Sequence, residues 1–218
     1  MDPGSKNPEP RKDAGTGLPE SKPEVQPEPE PWLRGTLAEL PAVVRGVLHA
    51  LELAKEDVAR WCGGLTAEQL EARPTGLPAV AFHLRHIARS LDRLLTYAEG
   101  KQLSDGQLKA LDSETEENES REAVFGEFEN GLDSAMKRIR AIPPGSYDKA
   151  RWVGRNGLPS SVGGLLVHCA DHAQRHVGQL VTTAKVVVAT RGTREGWRKR
   201  AGSVDSGEIP SEFEERRL

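Results

Sequence analysis

The chain has 218 residues, of which 36% are hydrophobic, and a formal net charge of -3. This length allows one domain with tails or two very small ones, and an apolar share below the ~45–50% of ordinary globular domains means that part of the chain packs nothing. A pI near 6.1 argues against a dominant nucleic-acid or membrane-surface footprint.

Eight of the 15 prolines fall within residues 1–31, which hold only Met1, Ala14, Leu18 and Val25 as hydrophobic residues. Such a stretch cannot bury enough apolar surface to offset its ordering entropy, so residues 1–31 are expected to form a disordered Pro/Glu-rich tail with a semi-extended PEPEP end. The N-terminus has no apolar core of a signal peptide, and the run Val186 to Ala189 is far too short to span a bilayer. A cytoplasmic protein without membrane partners is expected. Its two cysteines, Cys62 and Cys169, then read as reduced thiols.

From Trp32 to Thr190 the apolar residues recur at helical spacing, and no run alternates cleanly enough to be read as a strand. The first helix starts at Leu37 or Pro41 and ends at Trp61, stopped by Gly63 and Gly64. Thr66-Ala-Glu-Gln begins a turn or two that Pro74, Gly76 and Pro78 cut short. A second long helix spans Pro78 to Glu99. Residues 101–118 form an acidic connector with a short helix around Gln107 to Leu111. The third long helix covers Ser120 to Ile142 and stops at Pro143-Pro144-Gly145. The fourth follows Pro159-Ser160-Ser161, capped by a serine, and continues to Thr190. Four such helices can bury one another's stripes, so the expected fold is all-α, a four-helix bundle over residues 32–190 with a crossover in its long second connection. Residues 191–218 read as a mixed-charge tail with five basic residues between Arg191 and Arg200, a solvated end rather than a nucleic-acid patch.

The histidines carry the chemistry. His83 and His86 lie in the second long helix and His168, His172 and His176 in the fourth, while His49 stands alone and reads as a packing residue. Neighbours four apart on a helix have Cβ atoms roughly 5–6 Å apart, so His168/His172 or His172/His176 can share one ion at ~2.0–2.1 Å. All three cannot, because His168 and His176 are about 12 Å apart along the axis. A catalytic zinc takes three protein ligands and keeps one position open, and His83 or His86 can supply the third. On the helical wheel His83 lies nearer the stripe of Val80, Ile87, Leu91 and Leu94.

Other chemistries fail on residue type. Cys169 and Ala173 stand where a zinc-protease helix needs Glu after its first His. No histidine has Glu three residues before it, as a di-iron carboxylate bundle requires. There is no nucleophile elbow, P-loop or dinucleotide fingerprint. Bis-histidine haem ligation suits poorly the polar surroundings of Asp171, Gln174, Arg175 and Gln179.

HCADHAQRHVGQL resembles the fourth-helix signature of the DinB/YfiT-like superfamily, and FHLRHIARSLDRLLTYAEG is similar to that family's second helix. The resemblance covers about residues 32–190. It implies a four-helix bundle with a crossover, commonly dimeric, holding one divalent metal (Zn, Ni, Fe or Mn) through three histidines. Carried over by motif position, the ligands are His86, His172 and His176. His83 is the substitute for His86, and His168 becomes a supporting or structural residue. Gln179, one turn beyond His176, is the polar neighbour best placed to touch a ligand, while Asp171 and Arg175 read as solvated surface and Cys169 as a small core residue. Relatives implied by the resemblance include thiol S-transferases and isomerases that use low-molecular-weight thiols, and metal-dependent hydrolases. A small-molecule substrate activated with a thiol or water is therefore expected, with a non-catalytic metal- or ligand-binding stress-response protein as the alternative.

Overall fold

The computed structural model describes residues 28–115 and 120–201, with side chains as far as Thr190. Most of the expected disordered tail, and the end of the C-terminal tail, lie outside the described residues.

Helix α1 (Ala42–Cys62) buries Val44, Val47, Leu48, Leu51, Ala54, Val58 and Cys62, a three-and-four spacing that places them on one face. Helix α2 (Ala67–Glu71) is a single turn held by a capping box in which Thr66 and Gln69 satisfy each other's backbone N–H groups. Helix α3 (Val80–Ala98) buries Leu84, Ile87, Leu91 and Leu95, and Gly100 at φ +78° turns the chain out of it. A second capping box, Ser104 with Gln107, starts α4 (Asp105–Asp112), which has no buried residue of its own. Ser120 caps α5 (Arg121–Arg140), whose inner face is Val124, Phe128, Leu132, Ala135 and Ile139.

Between α5 and the last helix the chain forms two short strands that periodicity did not reveal, β1 (Ala150–Val153) and β2 (Leu158–Ser161). They pair antiparallel with Trp152 opposite Pro159, around a turn whose Gly154 and Gly157 both have positive φ. Neither four-residue strand has a buried side chain, so no apolar alternation marks them. The expectation of purely helical secondary structure is corrected to that extent. Ser161 then accepts a hydrogen bond from the Gly164 N–H at 3.0 Å and opens α6 (Val162–Ala201). This helix continues past Thr190, where the apolar stripe fades.

Helix α1 packs on α6, α6 on α3, α3 on α5, and α5 back on α1. Their stripes meet in one core that includes Leu48, Leu51, Leu84, Leu91, Phe128, Leu166, Cys169 and Ala173. No described helix is long and apolar enough to cross a membrane.

The α3–α5 contact is unusually close. A Cβ added to Gly131 would lie 2.6 Å from the Cβ of Ala88 and 3.0 Å from its Cα. Helix propensity alone favours alanine by about 1 kcal/mol, but overpacking a filled contact costs about 1–3 kcal/mol. Gly131→Ala is therefore expected to lower the denaturant midpoint, and an unchanged or higher midpoint would show that α3 and α5 part freely.

Candidate metal centre

Helices α3 and α6 run antiparallel, because His83 faces His176 while His86 faces His172. The four-residue spacing on α6 and the three-residue spacing on α3 thus meet across one contact.

The Nε2 atoms of His86 and His172 stand 3.0 Å apart. The ring centroids of His86 and His176 are 4.4 Å apart, and those of His172 and His176 4.6 Å. One ligand atom from each of His86, His172 and His176 falls within 4.8 Å of the others, and all three residues are half-buried. A tetrahedral ion at ~2.0–2.1 Å holds its nitrogens about 3.3 Å apart, so small side-chain adjustments, opening the His86–His172 pair slightly, let this donor set accept one.

The electrostatics favour the neutral form of the two α6 rings, His172 and His176. Burial, with the neighbouring imidazoles, lowers His172 and His176 to about 4, and Arg175 acts in the same direction on both. Neutral imidazole is the form that ligates a metal.

A residue that sequence reasoning missed completes the arrangement. Glu114, just beyond α4 and only 5% exposed, places Oε2 2.6 Å from His86 Nδ1. Its other oxygen accepts from Arg93 at 2.7 Å. Burial alone would raise this carboxyl, but the hydrogen bonds from His86 and Arg93 outweigh it and hold Glu114 below the usual carboxylate range. An ionised carboxylate can only accept, so His86 donates from Nδ1 and turns the lone pair of Nε2 toward His172. Carboxylate–histidine pairing of this kind orients metal ligands and raises their basicity.

A sequence model of the DinB superfamily matches residues 50–180. The chain belongs to the DinB superfamily. No curated protein matches it. The matched stretch of this DinB superfamily member takes in all three clustered histidines, Glu114 and Arg93.

The remaining candidates take other places. His83 is 2% exposed and lowered to about 4 by burial and by His176 and His86. Its Nδ1 lies 3.0 Å from that of His176, so it backs the cluster rather than joining it. The wheel angle favoured His83 because it is the more buried of the two, whereas the half-buried His86 reaches the cluster. His168 is exposed, 3.7 Å from Asp171, and Asp171 also pairs with Arg175 at 2.6 Å. Gln179 is exposed and lines, with His83, Arg175 and Thr183, a cavity of about 430 Å³. His49 is buried, its Nε2 3.0 Å from the Thr36 hydroxyl, as a packing residue would be. Cys62 and Cys169 are free and buried, and burial pushes both thiols up to about 12. Neither is a thiolate ligand at neutral pH.

Proposed function

We propose that this DinB superfamily member binds one divalent transition metal through His86, His172 and His176, and uses it to activate a thiol or a water against a small-molecule substrate. The observation that carries this reading is the cluster of three histidines with a carboxylate behind one of them. In our reading the four long helices form a four-helix bundle, with α4 in the crossover, and the site lies on the α3–α6 side of it.

The three imidazoles bring no negative charge, so a bound ion keeps its full charge and favours anionic partners. Such an ion supplies Lewis acidity that lowers the pKa of a thiol or water. Imidazole donors suit Zn, Ni and Fe, whereas Mn prefers oxygen ligands and is the weakest match of the four. His86, His172 and His176 would hold the ion, Glu114 would keep His86 in the Nδ1–H tautomer, and His83 would support His176 from behind. The 430 Å³ recess beside His83, with Arg175 and Gln179 on its walls, would take the body of the substrate. We place this chemistry in the cytoplasm, a setting that suits two buried free thiols.

The deciding experiment is consumption of an electrophile by the purified metal-loaded protein, with and without a low-molecular-weight thiol. Thiol-dependent turnover that disappears in His172→Ala supports the transferase reading. Metal bound without any turnover would favour the second reading, a non-catalytic metal-binding protein. That reading draws on Glu114, the carboxylate at the cluster, being already committed to His86 and Arg93. Ligand assignment is tested separately. His83→Ala is expected to keep about one equivalent of metal and His86→Ala to lose it; the reverse result would make His83 the ligand.

A further inference from the structure

The geometry points to Arg93 as a positioning residue of the metal centre, acting only through Glu114 to fix His86. This inference rests on the metal-site reading above and goes beyond it by assigning control of the site to a residue that touches none of its histidines.

The chain of contacts is short, with two donors converging on one carboxylate. Arg93 NH1 donates to Glu114 Oε1 at 2.7 Å, and Glu114 Oε2 accepts from His86 Nδ1 at 2.6 Å. The side chains of Arg93 and Glu114 are 12% and 6% exposed, so little water competes for either oxygen. His86 and Arg93 are seven residues apart on α3, two helical turns, and therefore lie on one face. Glu114 spans the distance between them from a different element.

That element is weakly anchored by packing. Helix α4, which delivers Glu114, buries no side chain, and polar ties hold it: Gln107 donates to Asp92 and Thr96, and Arg89 donates to the Ala110 carbonyl and the Ser113 hydroxyl. With no fully buried side chain in α4, the Glu114 carboxylate is set by its two side-chain partners, Arg93 on one oxygen and His86 on the other. Arg93 also lines a cavity of about 610 Å³ between α3, α4 and α5, so its guanidinium joins the outside of the bundle to the metal centre. Arg138 lines the same cavity but binds Asp92, Glu99 and Thr96 and has no part in this chain.

The test is Co²⁺ binding by the purified full-length chain, read by competition with a chromophoric chelator and by the ligand-field spectrum. Loss of an outer carboxylate at a metal site typically weakens affinity by ~10–100-fold. Arg93→Gln is expected to weaken Co²⁺ binding about tenfold and to shift the spectrum, Arg93→Lys to restore most of the affinity, and Arg138→Gln to leave both unchanged. Because Arg93 acts through Glu114, adding Arg93→Gln to Glu114→Ala is expected to cause no further loss. Independent effects would instead add, and additivity overturns the inference. So does a wild-type affinity and spectrum in Arg93→Gln. Arg93→Lys, which keeps the charge, and a thermal melt of each variant separate a folding defect from a positioning one. If the wild-type chain binds no Co²⁺, the three-histidine reading itself fails, a result distinguishable from all of these.

Discussion

His172→Ala is expected to abolish stoichiometric metal binding while leaving the helical fold intact. His172 is central to the cluster: its Nε2 lies 3.0 Å from that of His86, and its ring is 4.6 Å from that of His176. Dividing the ~10–16 kcal/mol of a four-ligand structural zinc site evenly gives about 2.5–4 kcal/mol per ligand, or about two to three orders of magnitude in affinity. Elemental analysis of wild type and variant, purified side by side, measures the effect. Circular dichroism checks the fold, since the half-buried His172 ring contributes little to the core. A variant that retains one full equivalent of tightly bound metal would remove His172 from the ligand set.

The second large effect is expected in acid, with the metal removed by chelator. His83, His172 and His176 each lie near 4 in the folded chain, chiefly because burial disfavours the imidazolium. In the unfolded chain they return to about 6.5. Between these values the unfolded state binds protons that the folded state does not, so stability rises with pH. The contribution is fully present above about 6.5 and is lost as the pH falls toward about 4. Glu114 acts in the same sense over a lower range, because its carboxyl is held below the usual value and its pairing is lost on protonation. Urea midpoints of the metal-free protein are expected to drop steadily between pH of about 7 and about 5. A flat profile over that interval would mean that the rings protonate freely in the folded state. Bound metal should oppose the loss, since an ion that ligates only the folded, unprotonated rings adds its binding energy to stability.

Helices α1, α3 and α5 were readable because each carries a continuous apolar stripe and is stopped by glycine or proline: Gly63 after α1, Gly100 after α3, Pro143 after α5. The end expected for α6 at Thr190 fell short of Ala201, because the stripe fades before the helix does. The capping box of Ser104 with Gln107 was not read, whereas that of Thr66 with Gln69 was visible. The α6 histidines were legible for the same reason, since a four-residue spacing fixes a shared face whatever surrounds it. The third histidine was harder. Helical angle ranks residues by burial, and by that measure His83 leads, yet the residue that meets His172 is the half-buried His86; only the family motif pointed to it. Glu114 left no trace in sequence because it stands in an acidic connector beside Glu116, Glu117 and Glu119, and no periodicity distinguishes one glutamate there from another. The β1–β2 hairpin escaped because Trp152, Leu158 and Pro159 are exposed and the strands cover no core.

The two cysteines bear on what kind of substrate this protein can survive. A catalyst that joins thiols to electrophiles works amid reagents that alkylate proteins. Cys62 and Cys169 are both inaccessible in the core and, with thiols pushed up to about 12, almost wholly protonated at neutral pH. The folded chain therefore offers such a reagent no competing cysteine thiolate. Under the proposed thiol chemistry, the thiol that reacts would have to arrive from solution rather than from Cys62 or Cys169.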